Sequence, residues 1–136
     1  MDIEKLIKTA EEMRNLSYVP YSHYAVGAAL LCEDGEIVKG CNIENASYGP
    51  TMCAERTAFF KAVSEGKRKF TAIAVTGGMQ GEKCEKAPPC GVCRQVMREF
   101  CDPKEFRVII SASTEDYDVY TLEELLPQSF GPENLS

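Results

Sequence analysis

Two short cysteine motifs constrain this chain more than any other feature of its sequence. Cys53 and Glu55 flank one small residue at a predicted helix start, and Cys90 and Cys93 follow Pro89 at a second predicted helix start. The three thiolates can supply three ligands to one zinc ion, because a catalytic zinc site keeps its fourth position open for water. Glu55 then remains free for proton transfer. The fold must therefore bring two helix starts together.

The spacing of the first motif places it at the very end of a helix. Residues two apart on a regular helix, at about 100° per residue, point to nearly opposite sides. Cys53 and Glu55 can serve one site only if Cys53 precedes the first fully helical residue. At that position the Ala54 amide has no acceptor within the helix and is free to bind a ligand.

The charge of such a centre requires compensation. Three thiolates on one divalent cation leave a net negative charge, which makes a bound water harder to ionise. Arg56 follows Glu55 directly, and we expect its guanidinium to hydrogen-bond the thiolates and offset that charge. The one histidine, His23, excludes a histidine-rich zinc site and is interpreted as a loop or core hydrogen-bonding residue rather than as a ligand or catalytic base.

A closed structural zinc site is the alternative interpretation of the two motifs. It would recruit a fourth cysteine, either Cys41, Cys84 or Cys101. The open site is favoured because a Cys-x-Glu triplet has no purpose in a closed one. These three residues, together with Cys32, are interpreted as ordinary thiols that behave as small apolar side chains.

Hydrophobic periodicity predicts helices and strands that alternate along the chain. Helical patterns cover residues 2–17, 53–64, 90–100 and 122–126. Strand patterns cover residues 24–31, 37–44, 70–76, 106–111 and, weakly, 117–120. Asp34-Gly35 predicts a two-residue hairpin turn, and the polar loop 42–50 is a candidate substrate wall. This order predicts one domain over residues 1–136, an α/β sandwich around a mixed sheet.

Composition and charge exclude several functional classes. The formal net charge of −6 argues against an affinity for nucleic acid, which requires a Lys/Arg-rich face. No apolar run approaches the roughly 18 residues of a membrane helix, and the N-terminus lacks a signal pattern. Seven cysteines without a secretion signal are typical of thiols and metal ligands rather than disulfides. We therefore expect a cytoplasmic protein without a membrane or nucleic-acid partner.

Three segments of the chain resemble the small zinc-dependent cytidine deaminases with three cysteine ligands. They are Asn42-Ile-Glu-Asn-Ala46, Cys53-Ala-Glu-Arg-Thr-Ala58 and Pro89-Cys-Gly-Val-Cys-Arg-Gln95, and the likeness extends from Pro20 to Phe130. The resemblance implies a three-layer α/β/α sandwich with about five strands in a mixed sheet. It also implies one Zn²⁺ per subunit.

The resemblance implies hydrolysis of cytidine and deoxycytidine to uridine and deoxyuridine, with release of ammonia, in pyrimidine salvage. A zinc-activated hydroxide would attack C4 of the ring, and Glu55 would carry protons from the water to N3 and to the leaving ammonia. Three alternatives remain open: a related aminonucleoside of the blasticidin S type, cytidine within RNA, and a non-catalytic zinc-fold interaction module. The acidic charge disfavours RNA.

The resemblance also implies contacts with the nucleoside from the same subunit. Asn42 and Glu44 would bind the ribose 3′-hydroxyl, and the Ala54 amide would donate to O2 of the pyrimidine. Tyr24 stands where the family commonly has phenylalanine against the substrate, so its hydroxyl requires a water or another polar partner.

A neighbouring subunit is implied to complete each site. Ala46 and Tyr48 would approach the 5′-hydroxyl, and Phe130 would cover the base. The expected assembly is a homotetramer with active sites shared between subunits.

Overall fold

The computed structural model describes all residues from 1 to 136. Its helices and strands follow in the order α1 (Ile3–Met13), β1 (Tyr24–Cys32), β2 (Ile37–Cys41), α2 (Ala54–Ser64), β3 (Phe70–Met79), α3 (Gly91–Phe100), β4 (Arg107–Ser113), β5 (Asp116–Thr121) and α4 (Leu122–Leu125). No helix combines the length and the apolar character that a bilayer crossing requires.

The five strands form one mixed sheet in the order β2-β1-β3-β4-β5. The central strand, β3, runs parallel to its neighbour β4. The other three neighbouring pairs are antiparallel. The predicted mixed sheet of about five strands is confirmed.

Alternate residues of β3 enter two separate cores. Ile73 and Val75 pack in a core shared with α2 and α3, whereas Ala72 and Ala74 pack in a second core shared with α1. The near-continuous apolar run of this strand is explained by helices on both faces. The sheet is the middle layer between α1 and the pair α2 and α3, so the predicted three-layer sandwich is confirmed.

Several predicted element boundaries are wrong. The first helix ends at Met13 and continues only as a short 3₁₀ turn over Arg14–Leu16. β2 ends at Cys41 instead of residue 44, because the next side chain, Asn42, bonds the backbone of β1. β3 runs to Met79, three residues farther than predicted, and stays paired with β1 along its length.

The turn between β1 and β2 is longer than the predicted two residues. Cys32 donates its backbone N–H to the Glu36 carbonyl at 2.8 Å, and Gly35 donates to the Cys32 carbonyl at 3.0 Å. Gly35 has φ of 94°, a left-handed conformation that costs glycine little. A hairpin loop of three residues that ends in a left-handed glycine is the next most common type, so Asp34-Gly35 predicted the hairpin but not its loop length.

Candidate metal centre and active site

The starts of α2 and α3 meet and bring three thiols together. Cys53 is the N-cap residue of α2 and Cys90 that of α3, both with extended backbone, while Cys93 lies in the first turn of α3. The three Sγ atoms all lie within 4.8 Å of one another. The sequence expectation that Cys53 precedes the first helical residue is therefore confirmed.

The donor set of this cluster fits one zinc ion. Sulfur ligands about 2.3 Å from a tetrahedral zinc lie about 3.8 Å apart, and the Cys90 and Cys93 sulfurs are 3.5 Å apart. Two helix N-termini direct the positive ends of their dipoles towards the sulfurs and favour their ionised form. The remaining four cysteines lie outside the cluster, so no fourth thiol closes the site: Cys32, Cys41, Cys84 and Cys101.

Hydrogen bonds at the cluster favour negative charge on Cys53. The Arg56 Nη2 atom donates to the Cys53 sulfur at 3.2 Å. Hydrogen bonding from the Cys93 thiol and then from Arg56 lowers the pKa of Cys53 to about 5, although burial acts in the opposite direction. The same bond to Cys53, together with burial, raises the pKa of Cys93. Arg56 thus lies where the charge argument requires it, and its buried Nε has no partner.

Glu55 lies in the first turn of α2 beside the thiols and is only 5% exposed. Burial raises the pKa of its carboxyl to about 7, against the opposing effect of hydrogen bonds from its own amide and from the Cys93 thiol. Its carboxylate is not among the groups that converge on the candidate metal position. A buried carboxyl that is near the cluster but outside it is suited to moving protons.

A cavity of about 390 Å³ lies beside the polar loop that follows β2. Six residues line it: Tyr21, Ser22, Glu44, Asn45, Tyr48 and Thr51. The loop is closed by paired backbone hydrogen bonds of 2.9 Å between Ile43 and Met52. Because Met52 precedes Cys53, the cavity wall and the thiol cluster are joined by continuous, hydrogen-bonded backbone.

Asn42 and Glu44, the two residues predicted to bind the ribose, are hydrogen-bonded to the segment around the start of β1. Asn42 accepts from the Val26 amide and donates to the Tyr24 carbonyl, both at 2.9 Å. Glu44 accepts from the backbone amides of Tyr21 and Ser22 at 3.0 and 3.1 Å, and from the Ser22 hydroxyl. Hydrogen bonding from Ser22 and Tyr21 lowers the pKa of Glu44, so its carboxylate is ionised at neutral pH.

The hydroxyl of Tyr24 has a polar neighbour on the chain. Burial raises the pKa of Tyr24, as do the nearby charge and hydrogen bonding of Glu85. The ring packs so closely on Gly77 that a β-carbon there would lie 2.8 Å from the Tyr24 hydroxyl. The side chain therefore lies against β3, with Glu85 as the polar neighbour of its hydroxyl.

The residues expected to act from a neighbouring subunit are exposed in the single chain. Tyr48 is 77% and Phe130 57% exposed, and Ala46 is also exposed. Tyr48 adopts a positive φ of 51°, which is uncommon for a residue with a bulky side chain. Phe130 does not line the cavity beside Tyr48.

Sequence reasoning missed several residues of the candidate site. No sequence pattern singled out Tyr21 and Ser22, although their backbone amides hold Glu44. Thr51 lines the cavity and carries no sequence signal. His23 is exposed and outside the thiol cluster, as expected for a loop residue.

Comparison with known proteins places these features in one family. Residues 1–110 match the family described as the cytidine and deoxycytidylate deaminase zinc-binding region. The chain is 51% identical over 136 residues to a cytidine deaminase of Sporosarcina psychrophila, covering all of this chain and 96% of that one. It is 50% identical to a cytidine deaminase of Halalkalibacterium halodurans, covering all of this chain and 99% of that one.

Solved structures agree with the sequence relatives. A cytidine deaminase from Burkholderia pseudomallei superposes with a TM-score of 0.86 at 45% identity, over 96% of this chain and all of that one. A cytidine deaminase from Mycobacterium tuberculosis gives a TM-score of 0.81 at 38% identity, over 96% and 98% of the two chains. The chain therefore belongs to the zinc-binding cytidine and deoxycytidylate deaminase family.

Proposed function

We propose that this protein hydrolyses the exocyclic amine of cytidine and deoxycytidine, giving uridine and deoxyuridine with release of ammonia. One observation carries the proposal: three thiols converge at two helix starts while the buried carboxyl of Glu55 lies beside them and outside the cluster. Relatives at 50% and 51% identity over the whole chain are cytidine deaminases, which favours this substrate over an aminonucleoside antibiotic or RNA.

The roles at the metal centre follow from the chemistry of each side chain. Cys53, Cys90 and Cys93 hold one zinc ion, which when bound supplies a Lewis acid that acidifies a water molecule. Arg56 offsets the negative charge of the thiolates through its hydrogen bond to Cys53. Glu55 is the catalytic proton carrier.

The reaction forms a C4–O bond and breaks the C4–N bond of the exocyclic amine. Glu55 accepts one proton from the attacking water and delivers it to N3 of the ring. It then passes the second water proton to the amine, which leaves as ammonia. Burial of Glu55 keeps bulk water away from these transfers.

The nucleoside is bound by groups on both sides of the metal centre. The Ala54 amide, at the first position of α2, donates to O2 of the pyrimidine because it has no acceptor within the helix. The Glu44 carboxylate accepts from the ribose 3′-hydroxyl, and the oxygen of that hydroxyl accepts from the second N–H of the Asn42 amide, whose first N–H bonds the Tyr24 carbonyl. Tyr24 packs its ring against the substrate.

The complete enzyme is a homotetramer of single-domain chains (residues 1–136) in the cytoplasm. The exposed side chains of Tyr48 and Phe130 support subunit contacts, in which Ala46 and Tyr48 reach the 5′-hydroxyl and Phe130 covers the base of a neighbour. Seven free cysteines are consistent with a reducing compartment. Light scattering that returns the mass of one chain would contradict the tetramer.

Ammonia release from cytidine by purified protein, measured together with zinc content, tests the function. Wild-type protein should turn over cytidine and deoxycytidine with one zinc per chain. Glu55→Gln should keep its zinc and lose about 10²- to 10⁴-fold in kcat, the usual contribution of a positioned proton carrier. Wild-type protein that holds zinc but releases no ammonia would refute the proposal.

A further inference from the structure

The C-terminal segment of the chain, residues 125–133, is hydrogen-bonded to α3, the helix that begins at the thiol cluster. Three side chains of α3 make these contacts. Arg94 donates to the Leu125 carbonyl at 2.6 Å and to the Pro89 carbonyl at 2.8 Å. Gln95 donates to the carbonyl of Phe130 at 2.9 Å. The third and most extensive anchor is Arg98.

Arg98 makes several contacts with the C-terminal segment although it is only 8% exposed. Its Nε donates to the Ser129 hydroxyl at 2.7 Å, and its two terminal nitrogens both contact the Glu133 carboxylate. Gly131 lies against the guanidinium, so closely that an added β-carbon would be 2.6 Å from Nη2. Arg98 therefore contacts residues on both sides of residue 130: Ser129 before it, and Gly131 and Glu133 after it.

The side chain of Phe130, at the centre of this anchored segment, is 57% exposed. Its own carbonyl and both neighbouring residues are held by α3, and Gln128, two residues before it, has a positive φ of 48°. A non-glycine residue persists in that conformation only where surrounding contacts impose it. The contacts thus fix the direction of an aromatic ring that packs little on its own subunit.

We propose that Arg98 is a positioning residue for substrate binding, which acts by holding Phe130 in the orientation that covers the pyrimidine base. This role rests on the proposed function, in which Phe130 reaches the site of a neighbouring copy. Arg98 belongs to the same helix as Cys90 and Cys93, so one rigid element orients two metal ligands of its own subunit and the aromatic cover that it offers to the next.

Removal of Arg98 should weaken binding without changing the chemistry. In Arg98→Ala the C-terminal segment keeps only the hydrogen bonds from Arg94 and Gln95 of α3. The Phe130 ring is then no longer held in one orientation. Since the aromatic contact is present in both the ground state and the transition state, we expect KM for cytidine to rise about tenfold with kcat within about twofold. Arg98→Lys should not restore KM, because a lysine cannot bridge Ser129 and Glu133 with a planar fork.

A double-mutant cycle identifies the residue through which Arg98 acts. Phe130→Ala alone should raise KM at least as much as Arg98→Ala, and adding Arg98→Ala to Phe130→Ala should cause no further rise. Arg68→Ala is the matched control, because that exposed guanidinium bonds only the carbonyls of Val63 and Lys67. It should leave both constants unchanged.

Zinc content and the tetramer mass are measured for every variant. A fall in kcat, a loss of zinc, or additive effects of Arg98→Ala and Phe130→Ala would overturn the proposal and assign Arg98 a merely structural role. If Arg98→Ala does not fold, Glu133→Ala and Ser129→Ala together remove its partners, and the same KM change is required of them. Inactive wild-type protein would instead refute the proposed function itself, and this role for Arg98 with it.

Discussion

Substitution of Gly40 by alanine should move the helix that carries half of the metal centre. Gly40 lies on β2 beneath the first turns of α2. A β-carbon at this position would lie 2.7 Å from the Ala58 nitrogen and 2.9 Å from the Ala58 β-carbon, and closer still to the Ala54 carbonyl oxygen. All three atoms belong to α2, and two of them are backbone atoms that cannot rotate away.

The size of the effect follows from these separations. Ordinary van der Waals contact begins near 3.4 Å, so the start of α2 must retreat by about 1 Å to relieve the overlap. Cys53 and Glu55 move with it, whereas Cys90 and Cys93 on α3 do not. A displacement of about 1 Å in a catalytic group can cost about 100-fold in rate, and overpacking costs about 1–3 kcal/mol of folding free energy.

A matched control separates loss of alignment from loss of stability. Gly27 on β1 supports α1 in the same way, since a β-carbon there would lie 3.0 Å from the Arg14 nitrogen and closer still to the Ala10 carbonyl oxygen. Gly27→Ala should therefore lower the melting temperature by a similar amount, about 3–10 °C. Because α1 carries no residue of the metal centre, the activity per folded molecule should be nearly unchanged.

The assay compares kcat and zinc retention under chelator competition for the two variants, each normalised to folded protein. Gly40→Ala should lose about 100-fold in kcat and release zinc more readily than Gly27→Ala. Equal activity in the two variants would refute the argument that the packing of α2 on β2 aligns Glu55 with the thiols.

Three further predictions concern the charge of the metal centre, the aromatic core and the Tyr24 hydroxyl. Arg56→Ala should lower kcat/KM by about 10- to 100-fold, the value of a charge-assisted hydrogen bond, and weaken zinc retention, whereas unchanged zinc retention and turnover would contradict charge compensation. Phe59→Ala removes a ring whose centroid lies 5.1 Å from that of Phe70 and 6.0 Å from that of Phe106. Denaturant titration should show that the free energy of unfolding falls by about 3–5 kcal/mol. A fall below about 1 kcal/mol would show that neighbouring side chains move into the cavity. Tyr24→Phe removes only a hydroxyl beside Glu85, so kcat/KM for cytidine should stay within about twofold, and a larger change would mean that the hydroxyl contacts substrate.

Local chemistry explains why the metal centre was predictable. A Cys-x-Glu triplet can place both side chains in one site only at a helix end, and the N-cap position of Cys53 agrees with that requirement. The apolar run 70–76 predicted a strand covered on both faces, and β3 enters two cores. These inferences hold because ligand geometry and hydrophobic periodicity depend on residues that are close together in the chain.

The amino-acid sequence by itself therefore determined the layers of the fold, the convergence of the three thiols and the position of Glu55 beside them. Only the tertiary structure decided which long-range contacts hold the loop after β2 and the C-terminal segment. Glu44 is bound by amides 22 and 23 residues away, and Arg98 holds partners 31 and 35 residues away. Such contacts leave no local sequence pattern. An arginine near the end of an amphipathic helix fits the same pattern whether its guanidinium faces water or packs against a distant segment of the chain. The difference arises only when folding buries it against the C-terminal segment.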